Sequence, residues 1–198
     1  MTAPHLNTCM SIGLFGGSFN PAHAGHLHVA NCGLQQLGLD QIWWMVSPQN
    51  PLKPEQPPYE ERVASVRALG LPPRMHISHM EQDFGTQYTV ETLRRAKRRW
   101  PQHQFVFLMG ADNLRQLPQW KNWREIMESV PIAVIARPGQ NPSDTLKARL
   151  SQAARMYNYA RIPEGQAHTL VWHKAPAWTY LTPPLNNLSS SALRAKGA

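Results

Sequence analysis

The sequence predicts an α/β fold, a doubly wound parallel sheet with helices on both faces. Apolar runs of strand length recur at residues 12–15, 42–46, 105–109 and 132–136. They are nearly unbroken rather than alternating, as in strands buried on both sides. Helical patterns separate them, and a β-α-β-α order implies right-handed crossovers in one parallel sheet.

Taken in order, the run 12–15 is followed by a helix over 25–37 and the run 42–46 by a stretch that cannot be helical. Residues 48–58 hold five prolines and read as an extended loop. Helices are then expected over 59–69 and 89–100, the second with Thr89 as its N-cap. The runs 105–109 and 132–136 come next. A turn-rich connector at 137–142 leads to a helix over 144–157 capped by Ser143 or Asp144. Residues 176–187 read as a loop ahead of a serine-rich end. No repeat or low-complexity tract divides the chain, so one domain over 1–198 is expected, with its core at about 11–196.

Composition narrows the class without naming it. Hydrophobic residues make up 42% of the 198, a globular value that argues against disorder. No apolar run approaches the ~18 residues a membrane span needs. Residues 1–11 lack the basic start and apolar core of a signal peptide, which predicts a soluble cytoplasmic protein. Cys9 and Cys32 are the two cysteines and suit a reducing compartment. The net charge of +8 calls for a polyanionic partner, which nucleic acid, anionic lipid and nucleotide phosphates all satisfy. Part of the excess lies in Arg94, Arg95, Lys97, Arg98 and Arg99, which on a helix spread over more than one face and read as a solvated exterior.

Ligands on such sheets bind beyond the carboxyl ends of the strands. The stretch there after the first run is Gly16-Gly17-Ser18-Phe19-Asn20-Pro21-Ala22-His23-Ala24-Gly25-His26. Two glycines allow a sharp turn and close approach of a ligand. The N–H groups of the turn and of the following helix start make a phosphate site. His23 and His26, three residues apart, share one side of the first helical turn, and Gly25 between them leaves room for a phosphate chain. The pattern is neither GxGxxG nor GxxxxGK[ST], which disfavours a dinucleotide fingerprint and removes a P-loop. A zinc site is the rival reading, but the spacing suggests no third ligand.

These residues resemble the signature of the nucleotidyltransferase superfamily that carries a His-x-Gly-His motif, with a Rossmann-like sheet. Further segments, in the family's order, are similar to bacterial nicotinate-nucleotide adenylyltransferases. They are Ser47-Pro48 to Lys53, Tyr88-Thr89-Val90-Glu91-Thr92-Leu93, Met109-Gly110-Ala111-Asp112-Asn113-Leu114, Trp120-Lys121-Asn122-Trp123, residues 134–139, and Leu188-Ser189-Ser190-Ser191-Ala192-Leu193-Arg194. Asn20 stands where the family commonly has Asp, and Ser191 where it has Thr. The chain ends four residues after Arg194, earlier than many relatives.

The resemblance implies adenylyl transfer from ATP to nicotinate mononucleotide, with release of pyrophosphate, in NAD synthesis. It implies Mg²⁺ held mainly by substrate phosphates as the cofactor. No protein metal ligand is expected. His23, His26 and Arg194 are the implied catalytic residues. Gly16, Gly17, Ser18, Phe19, Gly25, Gly110, Asp112, Ser190 and Ser191 are implied on the ATP side. Lys53, Thr86, Tyr88, Thr89, Trp120 and Arg137 are implied on the mononucleotide side. Taken alone, several have plainer readings: Ser189 to Ser191 and Asp112 as helix caps, Lys53 as an exposed lysine, Trp120 as a core anchor. The expected partners are the two nucleotides, with neither nucleic acid nor membrane, and homo-oligomerisation stays open. The alternatives are a sister enzyme acting on pantetheine phosphate or nicotinamide mononucleotide, and a basic nucleic-acid-binding protein. No RRM, KH, zinc-finger or helix-turn-helix signature supports the last.

Overall fold

The computed structural model describes residues 9–49, 56–136 and 142–182. The first half runs β1 (Ser11–Gly17), α1 (Ala24–Gln36), β2 (Gln41–Val46), α2 (Tyr59–Arg67), β3 (Met75–Ser78), α3 (Met80–Asp83) and α4 (Thr89–Arg99). The second runs β4 (Gln104–Gly110), α5 (Ala111–Gln116), α6 (Trp123–Ser129), β5 (Ile132–Ile135), α7 (Pro142–Arg149), α8 (Gln152–Met156), β6 (Arg161–Ile162) and β7 (Trp178–Leu181). Short 3₁₀ turns at Leu117–Gln119, Asn158–Ala160 and Glu164–Trp172 join some of them. The described strands form one sheet in the order β3-β2-β1-β4-β5-β7-β6. Every pairing in it is parallel. The predicted fold class is what forms.

The unbroken apolar runs are explained by two separate cores. Ile12 and Leu14 of β1 and Phe105, Phe107 and Met109 of β4 face one layer, packed against Val90, Leu93 and Ala96 of α4, Leu114 of α5 and Ile126 of α6. Phe15, Val106, Leu108 and Trp44 face the other, against Val29, Ala30 and Leu34 of α1 and Val63 and Val66 of α2. Alternate side chains thus enter opposite layers, and both layers are dry.

This layering fixes where a ligand can bind. After β1 the chain turns to α1 on one face, and after β4 it turns to α5 on the other. β1 and β4 are neighbours. Adjacent strands whose connections leave in opposite directions open a crevice at their carboxyl ends. Gly16, Gly17 and Gly110 lie at that edge.

Several expectations need correction. The helix predicted over 144–157 is two helices, α7 and α8, broken at residues 150–151 where Ser151 caps α8 through Ala154 N–H. Helix α7 begins at Pro142, so Ser143 and Asp144 lie within its first turn rather than at its cap. Tyr88, not Thr89, is the N-cap of α4, and no side chain caps it. β7 occupies Trp178–Leu181, inside the stretch read as loop, and all four of its residues are buried. The basic cluster behaves as expected of an exterior. Arg94 pairs with Glu125 at 2.6 Å, Lys97 holds the Ser129 carbonyl, and Arg98 and Arg99 are exposed. No helix among the described residues is long and apolar enough to cross a membrane.

Candidate active site

The turn after β1 is built differently from what the two glycines suggest. Neither Gly16 nor Gly17 has positive φ; the left-handed residue is Phe19, at φ 46°. Gly16 and Gly17 are the last residues of β1, and their need is for closeness. A Cβ on Gly17 would lie 2.9 Å from the Phe19 ring, which folds back over it, and one on Gly16 would lie 3.2 Å from Phe107. The Phe19 ring is buried edge-on against Phe15, at 5.4 Å between centroids, so the chain turns because this aromatic is drawn inward.

His23 is the N-cap of α1. Its Nδ1 accepts the Gly25 N–H at 3.0 Å, while Nδ1 of His26 accepts the His23 N–H at 3.3 Å. A backbone N–H only donates, so each Nδ1 is an acceptor and each neutral imidazole carries its proton on Nε2. The ring centroids are 3.9 Å apart, and both residues are about 95% buried. Two imidazoles with the same tautomer are thereby fixed side by side at a helix N-terminus, where the peptide dipoles favour negative charge. The expectation that His23 and His26 share a side is met by this geometry. Their capping role is a feature the spacing alone did not reveal.

Arg62 of α2 was not singled out from the sequence, and it organises the same corner. Its guanidinium donates to the carbonyls of Pro57 at 3.0 Å, Ser18 at 2.9 Å, Ser47 at 2.7 Å and Pro48 at 2.8 Å. It is 2% exposed, and burial works against its charge. The turn after β1 and the end of β2 are thus tied to one cation, and Ser47 N–H closes onto the Gly17 carbonyl at 3.0 Å. An arginine within a helical pattern carries no sequence signal of this kind.

On the other face, the turn ahead of α4 is held by side chains. Thr86 is buried; its hydroxyl accepts the Tyr88 N–H at 3.1 Å and donates to Glu91 at 2.9 Å. Lys121 pairs with Glu91 at 2.8 Å and lies 4.1 Å over the Tyr88 ring. This joins the turn to the Trp120 segment. Trp120 is half-buried, edge-on to Phe107 at 6.4 Å, while Trp123 is buried as an anchor of α6. Gly110 ends β4, and Asp112 stands in the first turn of α5. Thr89 is half-buried at the start of α4.

Gly16, Phe107, Trp120, Lys121 and Tyr88 therefore form a continuous chain of contacts on one side of the crevice, with His23, Gly25 and His26 beyond β1. Lys53, Arg137, Ser190, Ser191 and Arg194 lie outside the described residues. Among the described residues, no group of three or more His, Cys, Asp or Glu side chains is arranged to hold a metal ion. A cation held mainly by phosphates and water needs no such group.

A parallel doubly wound sheet with a histidine-capped turn at its switch point suits an enzyme of the nucleotidyltransferase class. Comparison with other proteins agrees. The sequence profile described as Cytidylyltransferase-like matches residues 14–196. A Ruegeria sp. (strain TM1040) protein named "Probable nicotinate-nucleotide adenylyltransferase" is 48% identical over 96% of this chain and 98% of its own length. A Caulobacter sp. (strain K31) protein of the same name is 50% identical over 94% and 98%. Among solved structures, the Plasmodium falciparum nicotinic acid mononucleotide adenylyltransferase complexed with NaAD superposes with a TM-score of 0.67 at 16% identity. That match covers 94% of this chain and 83% of the other, and it bears on the fold alone. The chain belongs to the nicotinate-nucleotide adenylyltransferase family of cytidylyltransferase-like proteins.

Proposed function

We propose that this protein joins nicotinate mononucleotide to ATP, forming nicotinate adenine dinucleotide and pyrophosphate. The observation that carries the reading is the pair of Nε2–H imidazoles fixed at the start of α1 beside the β1 turn, in a chain nearly half identical to its curated relatives. A phosphate oxygen of the mononucleotide attacks the α-phosphorus of ATP. A new P–O bond forms, and the bond to the β-phosphate breaks with its electrons on the leaving pyrophosphate. The nucleophile is already an anion near neutral pH, so no protein nucleophile is required. What the protein has to supply is alignment and positive charge.

The N–H groups of Gly17, Ser18 and Phe19 are suited to phosphate oxygens, beside Gly16 and Gly25, where the lack of side chains permits close approach. His23 and His26 donate to the triphosphate. Arg194, Ser190 and Ser191 take the departing pyrophosphate, and Lys53 and Arg137 add cationic donors on the mononucleotide side. Gly110 and Asp112 serve a ribose. The turn at residues 86–89 receives the nicotinate carboxylate: the N–H groups of Thr86 and Tyr88 hold its shape through the Glu81 carbonyl and the Thr86 hydroxyl, and Thr89 N–H, at the start of α4, is the donor offered to the ligand. The indole of Trp120 stacks on the pyridine ring. Mg²⁺ bound to the phosphates supplies charge neutralisation. One domain carries the whole reaction, in the cytosol.

The test is a balance of products. Incubation with ATP and nicotinate mononucleotide should release one pyrophosphate for each dinucleotide formed. Release of orthophosphate, or ATP consumption without the mononucleotide, would contradict the reading.

A further inference from the structure

Behind the turn at residues 86–89 lies a carboxyl group that none of these steps uses. Glu81 of α3 is 6% exposed. One oxygen, Oε1, lies 3.1 Å from the Thr92 hydroxyl, and the other, Oε2, is buried without a partner. The Glu81 carbonyl accepts the Thr86 N–H at 3.0 Å, so the residue is attached to the turn by its main chain as well.

The Thr92 hydroxyl has one proton and two neighbours placed to accept it, Glu81 Oε1 at 3.1 Å and the Tyr88 carbonyl at 3.2 Å. If Glu81 is ionised, Thr92 must donate to it, and the hydroxyl's bond to Tyr88 is lost. If Glu81 is a neutral acid, its own proton goes to Thr92 Oγ1, and Thr92 donates onward to Tyr88. Only the neutral form lets the Thr92 hydroxyl keep both neighbours, adding its bond to the Glu91 and Thr92 N–H groups that the Tyr88 carbonyl already accepts. It also leaves the orphaned oxygen uncharged, which is far less costly than a half-solvated carboxylate in a dry core.

We propose that Glu81, as a neutral carboxylic acid, is a positioning residue for the mononucleotide subsite, locking the turn at 86–89 through Thr92 and Tyr88. This rests on the reading that the turn receives the nicotinate carboxylate. Burial raises the Glu81 carboxyl to about 7, against the lowering influence of the Thr92 hydrogen bond. The charges on the packed elements are otherwise occupied. β2 has no titratable residue. On α4, Glu91 is held by Thr86 and Lys121, Arg94 by Glu125, Arg95 by the Phe84 carbonyl and Lys97 by Ser129, with Arg98 and Arg99 exposed. On α2, Tyr59 bonds His79 and is itself pushed up to about 12, chiefly by burial and in part by Glu60 and Glu81. Arg62 is spent on carbonyls, and Asp83 is exposed on the same short helix as Glu81. An ionised Glu81 would also set a like charge behind a turn that has to accept a carboxylate.

The experiment compares wild type with Glu81→Gln, whose amide keeps a donor for Thr92 at every pH. The KM for nicotinate mononucleotide, relative to that of Glu81→Gln, should be near unity at pH 6 and rise roughly thirtyfold by pH 8.5 as the competent fraction falls. The KM for ATP should show no such divergence. Thr92→Val should raise the mononucleotide KM even at pH 6, and Thr92→Ser should restore it. Parallel KM profiles for wild type and Glu81→Gln would overturn the proposal, as would equal effects on both substrates. If nicotinate mononucleotide is not turned over at all, the functional reading fails instead. The melting temperatures of the two proteins then decide separately, because a difference that stays flat from pH 5 to 8 would show that Glu81 is not held neutral.

Discussion

His23 and His26 each commit Nδ1 to the backbone of α1, which places the imidazole proton on Nε2. Replacing either removes a donor and part of a helix cap together, so activity and stability must be read separately. His23→Ala and His26→Ala are each expected to lower kcat by at least about tenfold, a floor below the roughly 10²–10³ lost when an oxyanion donor is removed. The cap itself is worth ~1 kcal/mol. Full activity of either variant at saturating ATP, with melting measured alongside, would remove that histidine from the reaction. Trp120→Ala should raise the mononucleotide KM and spare that of ATP, since base stacking on an aromatic is worth roughly 1–3 kcal/mol. An unchanged KM would leave Trp120 as packing against Phe107. Glu81 makes a prediction on stability alone. Its carboxyl titrates at about 7 in the fold against 4.5 ordinarily. The folded state then holds the proton more tightly, so the stabilisation is complete below pH 4.5 and is lost as pH rises to about 7. At ~1.36 kcal/mol per unit this is on the order of 3 kcal/mol, and Glu81→Gln should abolish that slope in urea titrations.

At the scale of elements, the site depends on how helices are tied to strand ends. Helix α2 contributes no group to the proposed chemistry, yet its Arg62 holds four carbonyls from three segments around the turn after β1. Lysine has three donors on one nitrogen and cannot span that set. Arg62→Lys should therefore lower the urea midpoint by the equivalent of ~2 kcal/mol or more, since hydrogen bonds to a charged group are worth ~1.5–3 kcal/mol each. A midpoint unchanged from wild type would mean that solvent replaces the guanidinium without loss. The same reasoning explains what the sequence disclosed. The runs behind β1, β2, β4 and β5 stood out because both faces of each are buried. β3, Met75–Ser78, did not, because its burial is partial and His76 is exposed at the sheet edge. β7 was hidden by its flanks, Pro176 and the prolines at 183 and 184, although Trp178 to Leu181 is strand-like in itself. Helices α3, α5 and α6 have four to seven residues, too few for a helical period to show.

For the whole molecule, the location of the crevice was legible while its construction was not. Ligands on such sheets bind at the carboxyl edge, and the glycine–histidine stretch is the place along that edge where we propose the phosphates bind. Arg62 and Glu81 were not singled out, and Glu91 and Lys121 appeared only within longer segments, because their importance lies in contacts between elements, and a charged residue looks alike in sequence whether it is solvated or buried. The two faces of the crevice divide the proposed work. The α1 side presents imidazole and backbone N–H donors suited to phosphates, and the α4 side presents a turn braced by Thr86, Glu91 and Lys121. Backbone donors in such a turn match a carboxylate, which only accepts, better than an amide, whose NH₂ would face them and leave them unpaired. The most direct measurement is kcat/KM for pyrophosphate release with saturating ATP, comparing nicotinate mononucleotide, nicotinamide mononucleotide and pantetheine phosphate. The account predicts that nicotinate mononucleotide is preferred over the amide by at least about tenfold, roughly the cost of leaving buried donors unpaired, with pantetheine phosphate inert. Equal use of the two mononucleotides, or faster turnover of pantetheine phosphate, would contradict it.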